Sequence, residues 1–384
     1  MPHHYVADQF VVKIASRCNI ACKYCYMYFL GDDSALDSPK FMNEETVRAL
    51  ADRLAVHAER SGLSRLSIAF HGGEPLLLGS RRFREYCEYL RSRIPALLNF
   101  SVQTNGLLVD EKWIQVFKEF DVLVGISIDG PEDINDVARV DHTGQGTYSR
   151  IRTAIDLVRQ HHDRGEVRFG GVISVINPRQ RPEAYYSWLK NDLQVKSANI
   201  LLPDADHDNY GVHYDFRISE FAEFLSGLFD EWFDDVDQDR IYIRLFDNLL
   251  GRILGNSSDT EALGTGGASA VVVDTDGALQ AHDVFRINRT GHRYNLNVHR
   301  DEIDSVLSDD LYQSGLSWKF SRGVAPSLPN EVRCSQCPVH HICGGGFVAH
   351  RFSAANGYQN HSVYCDALFS LISHAYVRVA AECV

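Results

Sequence analysis

Between residues 10 and 205 short apolar runs alternate with helix-periodic segments, and this alternation limits the fold more than any other feature of the chain. The strand candidates are residues 10–15, 66–71, 100–104, 123–128, 167–175 and 198–202. Near-continuous apolar strands with helices between them are parallel and covered on at least one face. The helices carry their own start signals. Asn43 opens one with Val47, Leu50 and Leu54 on a single face and Gly62 after its end; Asp110 precedes residues 111–120 and Thr147 precedes residues 148–159. Six such units are too few to close an eight-stranded barrel and suit a partial one, a (β/α)6 arrangement in an α/β chain. Ligands in such sheets gather at the carboxyl ends of the strands. The loop after the first strand, at that end, holds Cys18, Cys22 and Cys25.

Thiolate is the soft ligand that iron–sulfur clusters require, and three closely spaced thiolates hold three irons of a [4Fe–4S] cluster, leaving the fourth open. A zinc site is the alternative reading of the same three residues. The loops after the later strands add polar and glycine-rich groups. His71-Gly72-Gly73-Glu74-Pro75 follows the second strand; paired glycines let backbone approach a ligand, and Glu74 can accept from an ammonium. Gln103-Thr104-Asn105-Gly106 follows the third strand and Ser127-Ile128-Asp129-Gly130-Pro131 the fourth, with Arg139 behind it as a partner for a carboxylate. In this order, over about residues 8–210, the motifs resemble the core of the radical SAM superfamily. The resemblance implies that Cys18, Cys22 and Cys25 ligate the cluster and that S-adenosylmethionine binds its open iron. Reductive cleavage then gives a 5′-deoxyadenosyl radical, which takes a hydrogen atom from the substrate. It further implies that Tyr24 meets adenine largely through its backbone, that Gly72, Gly73 and Glu74 hold the methionine amine, and that Asn105 belongs to the cofactor pocket. Ser127 and Arg139 match contacts to the ribose and carboxylate, and Leu202, ending the sixth strand, lines the adenine pocket.

At 384 residues two domains are expected. A net charge of −13 argues against a nucleic-acid groove. No apolar run reaches membrane-spanning length, and Met1-Pro2-His3-His4 lacks a signal-peptide pattern, so a cytoplasmic location is expected. Residues 1–9 are too short for a separate domain that would bind a peptide leader. Of nine cysteines, seven fall in two clusters; Cys87, in a helical pattern, reads as a small buried hydrophobe and Cys383 as a tail thiol. Residues 1–210 form the expected core and 211–260 a helical bridge, leaving 261–384 as a C-terminal domain. In the bridge, Ser219 opens an amphipathic helix with Phe221, Phe224, Leu225, Leu228 and Trp232, and a second pattern over 241–254 ends at Gly255. Asp204, Asp206, His207 and Asp208 before it lack the glutamate spacing of a calcium loop and read as a solvated turn. Residues 256–269 read as a linker.

Residues 270–281 have the pattern of a hairpin with an Asp-Gly turn. Cys334, Cys337, Cys343 and Cys365 follow, a set compatible with structural zinc. The spacing C-x2-C-x5-C with a last cysteine further on is similar to the SPASM domain of radical SAM enzymes, which carries auxiliary [4Fe–4S] clusters. Where that domain has further cysteines this chain has His282 and Phe347. The resemblance therefore implies one auxiliary cluster and two [4Fe–4S] clusters in all. Asp283 falls where sulfatase-maturing SPASM enzymes place a catalytic base. More narrowly, the stretches Ser16-Arg17-Cys18-Asn19-Ile20-Ala21-Cys22, Leu201-Leu202-Pro203-Asp204-Ala205, Cys343-Gly344-Gly345-Gly346 and Ser362-Val363-Tyr364-Cys365 resemble the FxsB-type maturases. This implies a ribosomal precursor peptide as substrate, an electron donor of flavodoxin or ferredoxin type, and formation of a three-residue cyclophane. Thioether formation, epimerisation and formylglycine-generating sulfatase maturation are the alternatives.

Overall fold

The computed structural model describes residues 6–30, 35–258, 260, 262–264, 270–280, 283–288, 295–308 and 334–382. His282 and Cys383, and parts of the expected linker, lie outside the described residues. The strands described are β1 (Gln9–Ala15), β2 (Arg65–Gly72), β3 (Leu97–Thr104), β4 (Leu123–Ser127), β5 (Arg168–Val175), β6 (Ser197–Leu201), β7 (Tyr242–Ile243), β8 (Ala270–Val273) and β9 (Leu279–Gln280). The chain divides into two compact units that interleave in sequence: Met1–Ile128, Asn135–Gly171 and Ser269–Gln313 make the first, and Asp129–Ile134, Val172–Ala268 and Ser314–Val384 the second.

In the first unit β1 to β4 pair in parallel with their neighbours, as the buried apolar runs require. Side chains alternate across a strand, so each strand has two faces. One face buries Phe10, Val12, Ile14, Leu66, Ile68, Phe70, Leu98, Phe100, Val102, Val124 and Ile126. Phe70 meets Phe83 at a ring separation of 4.6 Å, and Phe83 in turn meets Trp113 at 5.4 Å. Those rings belong to α2 (Ser80–Arg93) and α3 (Glu111–Glu119), which together with α1 (Glu44–Ser61) provide the helical cover. The other face, near the carboxyl ends, carries Lys13, His71, Gln103 and Ser127, one polar residue from each of four consecutive strands. Lys13 is in register with His71, and Gln103 Nε2 donates to Ser127 Oγ at 2.8 Å.

The hairpin expected after residue 270 forms, with Val273 opposite Leu279 and Gly277 at φ 84° in its turn. Its first strand, β8, also pairs in parallel with β1. Sequence order gave no sign of this pairing, because the two strands are separated by most of the chain.

The helix starts follow local hydrogen bonding. Asn43 accepts from the Thr46 N–H at 2.8 Å, and Gly62 ends α1 at φ 64°. Asp110 accepts from the N–H groups of Lys112 and Trp113, both at 3.0 Å. Thr147, expected to cap α4 (Tyr148–Asp163), does not do so with its side chain. Asp136 instead accepts from the Thr147 and Tyr148 N–H groups at 2.9 Å, and the buried Thr147 hydroxyl donates to the Arg139 carbonyl at 2.7 Å.

In the second unit β6 lies parallel to both β5 and β7. Helix α5 (Ile218–Phe233) buries Phe221, Phe224, Leu225, Leu228, Phe229 and Trp232, matching the amphipathic pattern. It packs on α7 (Cys365–Glu382), where Leu368, Leu371 and Ile372 are buried. The pattern over 241–254 divides into β7 and α6 (Arg244–Ile253), since strand pairing to β6 takes its first residues. Asp206 is buried and accepts from the N–H groups of Asp208 and Asn209, both at 3.0 Å, so the acidic stretch is a self-capped turn. Among the described residues no helix is long and apolar enough to cross a membrane.

Candidate active site

The cysteine loop leaves β1 at its carboxyl end. Its turns come from local bonds: the Cys25 N–H donates to the Cys22 carbonyl at 3.0 Å, and the Phe29 N–H to the Cys25 carbonyl at 2.8 Å. The segment holding Arg139 secures its middle, with the Ala21 N–H donating to Val140 O at 2.7 Å and the Lys23 N–H to Ala138 O at 3.0 Å. Arg17 ties the entry to the chain beyond by donating to Ala35 O at 2.7 Å.

Burial and nearby Glu74 and Cys22 push the Cys18 thiol up to about 12, and burial and Cys22 push Cys25 up to about 12. Each thiol also accepts a backbone N–H from two residues on, Ile20 for Cys18 and Met27 for Cys25. Buried, mutually repelling thiols with N–H donors aimed at sulfur fit a cationic multi-iron centre, which stabilises the thiolates that burial alone disfavours. Asn105 adds a donor from the third loop: its Nδ2 stands 3.6 Å from Cys18 Sγ and 2.8 Å from Asn19 Oδ1.

Gly72 has φ 146°, and a Cβ there would stand 2.0 Å from the Ala15 carbonyl oxygen. At Gly73 a Cβ would stand 2.1 Å from the Tyr28 hydroxyl and 2.5 Å from the Arg17 carbonyl oxygen. The pair therefore brings the end of β2 against the start of the cysteine loop, where the Gly73 N–H donates to Ala15 O and the Glu74 N–H to Arg17 O, both at 2.9 Å. The buried Glu74 carboxylate accepts from Thr104 Oγ1 at 2.7 Å, the Asn105 N–H at 2.8 Å and the Leu76 N–H at 3.0 Å. Those bonds do not offset its burial, which raises the group to about 6. Glu74 thus braces the second and third loops. Ser127 lies on the polar face of β4. Arg139 is buried and donates to the Tyr24 hydroxyl at 2.9 Å, which places it beside the cysteine loop. Leu202 directly follows β6 in the second unit and is partly buried.

Asp283 is partly buried and bonded to Lys13 and Tyr26, with Arg286 Nε at 3.4 Å. Lys13 also lies 3.8 Å from Asp274, which accepts from Arg286 at 2.6 Å. Burial alone would raise the Asp283 carboxyl, but Lys13, Arg286 and His71 hold it far below the usual carboxylate range. Asp283, the residue expected as the base, is thus held beside Lys13, Tyr26 and Arg286. Lys13 and His71 were not singled out as site residues from sequence. The signal was a lysine interrupting the apolar run of β1, whose buried charge requires partners.

In the second unit Cys334, Cys337, Cys343 and Cys365 line one cavity of about 390 Å³, its open mouth included, with His340, Gly345 and Leu368. Cys365 heads α7. Gly344, Gly345 and Gly346 all have positive φ, and the Gly345 and Gly346 N–H groups are directed at Cys343 sulfur. Arg351, fully buried, lies within the field of Cys334 and Cys343. Among the described residues no three metal-ligating side chains close on a single ion. Phe347 packs against His350 at a ring separation of 5.2 Å.

A parallel α/β sheet with a three-cysteine loop and a glycine-rich loop at the carboxyl ends of its strands defines a cofactor enzyme of the iron–sulfur type. Residues 12–180 match the radical SAM superfamily. The matched segment contains the cysteine loop and the glycine-rich loop, and the chain has an α/β fold of the kind seen in radical SAM enzymes, a class that binds S-adenosylmethionine and a [4Fe–4S] cluster. It is 26% identical over 362 residues to the cysteine-type anaerobic sulfatase-maturating enzyme of Clostridium novyi (strain NT), covering 93% of this chain and 91% of the relative. It superposes with a TM-score of 0.80 on native anSMEcpe with bound AdoMet, at 25% identity, covering 97% of this chain and 98% of the other. The same fold is seen in native anSMEcpe with bound AdoMet and the Kp18Cys peptide, with a TM-score of 0.78, 24% identity and coverage of 97% and 98%.

Proposed function

We propose that this chain is a peptide maturase that installs a carbon–carbon crosslink, a three-residue cyclophane, in a ribosomally made precursor. The aromatic ring carbon of one residue would be joined to the β-carbon of the residue two positions later. The observation that carries this reading is the cysteine inventory of the second unit: four thiols around one cavity, and Phe347 where a second auxiliary cluster would need a ligand. The fifth thiol of the described residues outside the cysteine loop, Cys87, is buried within α2. That leaves ligands for one auxiliary [4Fe–4S] cluster. The FxsB-type motifs across the chain support the crosslinking outcome. Likeness to sulfatase-maturating enzymes supports a peptide substrate and favours a second reading, oxidation of a cysteine or serine to formylglycine.

Cys18, Cys22 and Cys25 would hold the cluster beside which S-adenosylmethionine binds, and the pair would supply a 5′-deoxyadenosyl radical with an electron from a flavodoxin- or ferredoxin-type donor. The chain's residues orient and insulate that chemistry. Arg139 would pair with the methionine carboxylate, Gly72, Gly73 and Glu74 would hold its amine, the Tyr24 backbone and Leu202 would contact adenine, and Ser127 would contact the ribose. Asn105 steadies Cys18 through its N–H···S contact. Residues 1–210 act as the radical core, 211–260 as a bridge and 261–384 as the auxiliary-cluster region. Anaerobic incubation with peptides encoded beside the gene, followed by tandem mass spectrometry, tests the reading. The expected product has lost two hydrogens and resists fragmentation across an aromatic-x-x triplet. Loss of two hydrogens at a cysteine instead indicates thioether formation, formylglycine supports sulfatase-type maturation, and deuterium uptake at unchanged mass indicates epimerisation.

A further inference from the structure

Two segments bring the cysteines of the second unit together, and an arginine comes in with them. Cys343 is followed by three glycines and then by the short turn Val348–Arg351. That turn lies against the segment leading to Cys365. The Val363 N–H donates to the His350 carbonyl at 2.9 Å, and a Cβ at Gly346 would stand 3.3 Å from Ser362 Cβ, a residue of the cavity wall. The pairing carries Arg351 into the interior, where it has no solvent exposure. Its place is fixed by a reciprocal clamp: Nε donates to the Asn360 carbonyl at 2.8 Å, and Asn360 Nδ2 donates back to the Arg351 carbonyl at 2.8 Å.

A guanidinium stays charged across the range in which proteins fold, and burying it is costly unless anionic groups share its surroundings. Burial works against the Arg351 charge, and Cys334 and Cys343 work for it. The same charge reaches His340, also in the cavity wall, whose proton affinity is lowered by burial and then by Arg351. A [4Fe–4S] cluster on four thiolates is an anion, and reduction by one electron makes it more negative; its potential follows net charge and burial. A cation fixed in the same poorly solvated region favours the reduced form, with little of the screening that water and salt give at a surface.

We propose that Arg351 is a positioning residue for the auxiliary cluster, its fixed positive charge raising the reduction potential so that the site accepts electrons. This rests on the reading of Cys334, Cys337, Cys343 and Cys365 as ligands of one auxiliary [4Fe–4S] cluster. Oxidative maturation gives up electrons, and a raised potential makes this centre a better sink for them.

The test isolates the auxiliary cluster in the full chain with the substitutions Cys18→Ser, Cys22→Ser and Cys25→Ser. Its one-electron reduction is followed by electron paramagnetic resonance in a mediated titration, with dithionite as the electron donor. In that background Arg351→Gln, which keeps a donor and removes the charge, should lower the equilibrium constant for reduction about tenfold, a fall of about 59 mV in midpoint. Iron and sulfide content should be unchanged. Arg351→Lys, which keeps the charge, should recover most of the difference. An unaltered midpoint in Arg351→Gln overturns the proposal, as does an equal fall in Arg351→Lys. Should Arg351→Gln retain no iron, Arg351→His decides, because its charge is titratable. A midpoint that rises with falling pH more steeply than in the parent chain supports the proposal, and one that does not overturns it. If the parent chain itself binds zinc or no iron, the auxiliary-cluster reading fails and takes this inference with it.

Discussion

At the residue scale the first unit is governed by buried charge. Lys13, almost without solvent exposure, is faced by Asp283 and Asp274. Removing one member of a buried pair leaves the other unpaired in a poorly solvated site. Lys13→Met is accordingly expected to destabilise the protein by about 3–5 kcal/mol in chemical denaturation, with much of that recovered in the Lys13→Met/Asp283→Asn double variant. Glu74 gives a pH signature of opposite origin. Its folded-state value of about 6 lies above the ordinary 4.5, so between those values the folded chain binds more protons than the unfolded one. Its contribution to stability is therefore fully present below about pH 4.5 and is lost as pH rises through 6, a total of about 2 kcal/mol. Glu74→Gln should remove that component from the pH dependence of the denaturation midpoint. A slope that survives the substitution would place the titration elsewhere.

At the element scale the local signals were mostly legible. Asn43, Gly62 and Asp110 act at helix ends as their residue types predict, because capping depends on a side chain and backbone only a few residues apart. Asp110→Ala should cost about 1 kcal/mol in thermal denaturation, the usual loss for an N-cap that serves two N–H groups. Thr147 shows the limit. A threonine before a helix is a plausible cap, but its hydroxyl donates to the Arg139 carbonyl, while Asp136 accepts from the Thr147 and Tyr148 N–H groups. The glycines after β2 show another. Their presence was readable, while their reason, contact with Ala15 and Arg17 backbone, belongs to the folded loops. Gly73→Ala is expected to prevent cluster incorporation, read as loss of the visible absorption of anaerobically purified protein, because the added carbon meets a carbonyl that cannot retreat. Normal absorption in that variant would show that the cysteine loop forms without this contact.

At the scale of the whole molecule the proposed function assigns the two cysteine sets to two separate clusters. Cys365→Ser, altered at the start of α7, should retain about half the iron and sulfide of wild type and keep S-adenosylmethionine binding, whereas Cys22→Ser should lose that binding. Zinc in place of iron after anaerobic purification would reject the auxiliary-cluster assignment for the second unit. The sequence by itself determined the parallel strands, their helices and the two cysteine groups, because periodicity, capping and ligand spacing are properties of neighbours along the chain. It also put the cofactor loops at one end of the sheet, since parallel strands all present their carboxyl ends together. Only the tertiary structure decided what the loop residues do. It joined β8 to β1, gave Glu74 to Thr104 and Asn105, and closed Lys13 and Arg286 on Asp283. Those outcomes depend on side chains far apart in sequence competing for the same partners, and the winner is set by packing distance and burial, which no spacing rule along the chain contains.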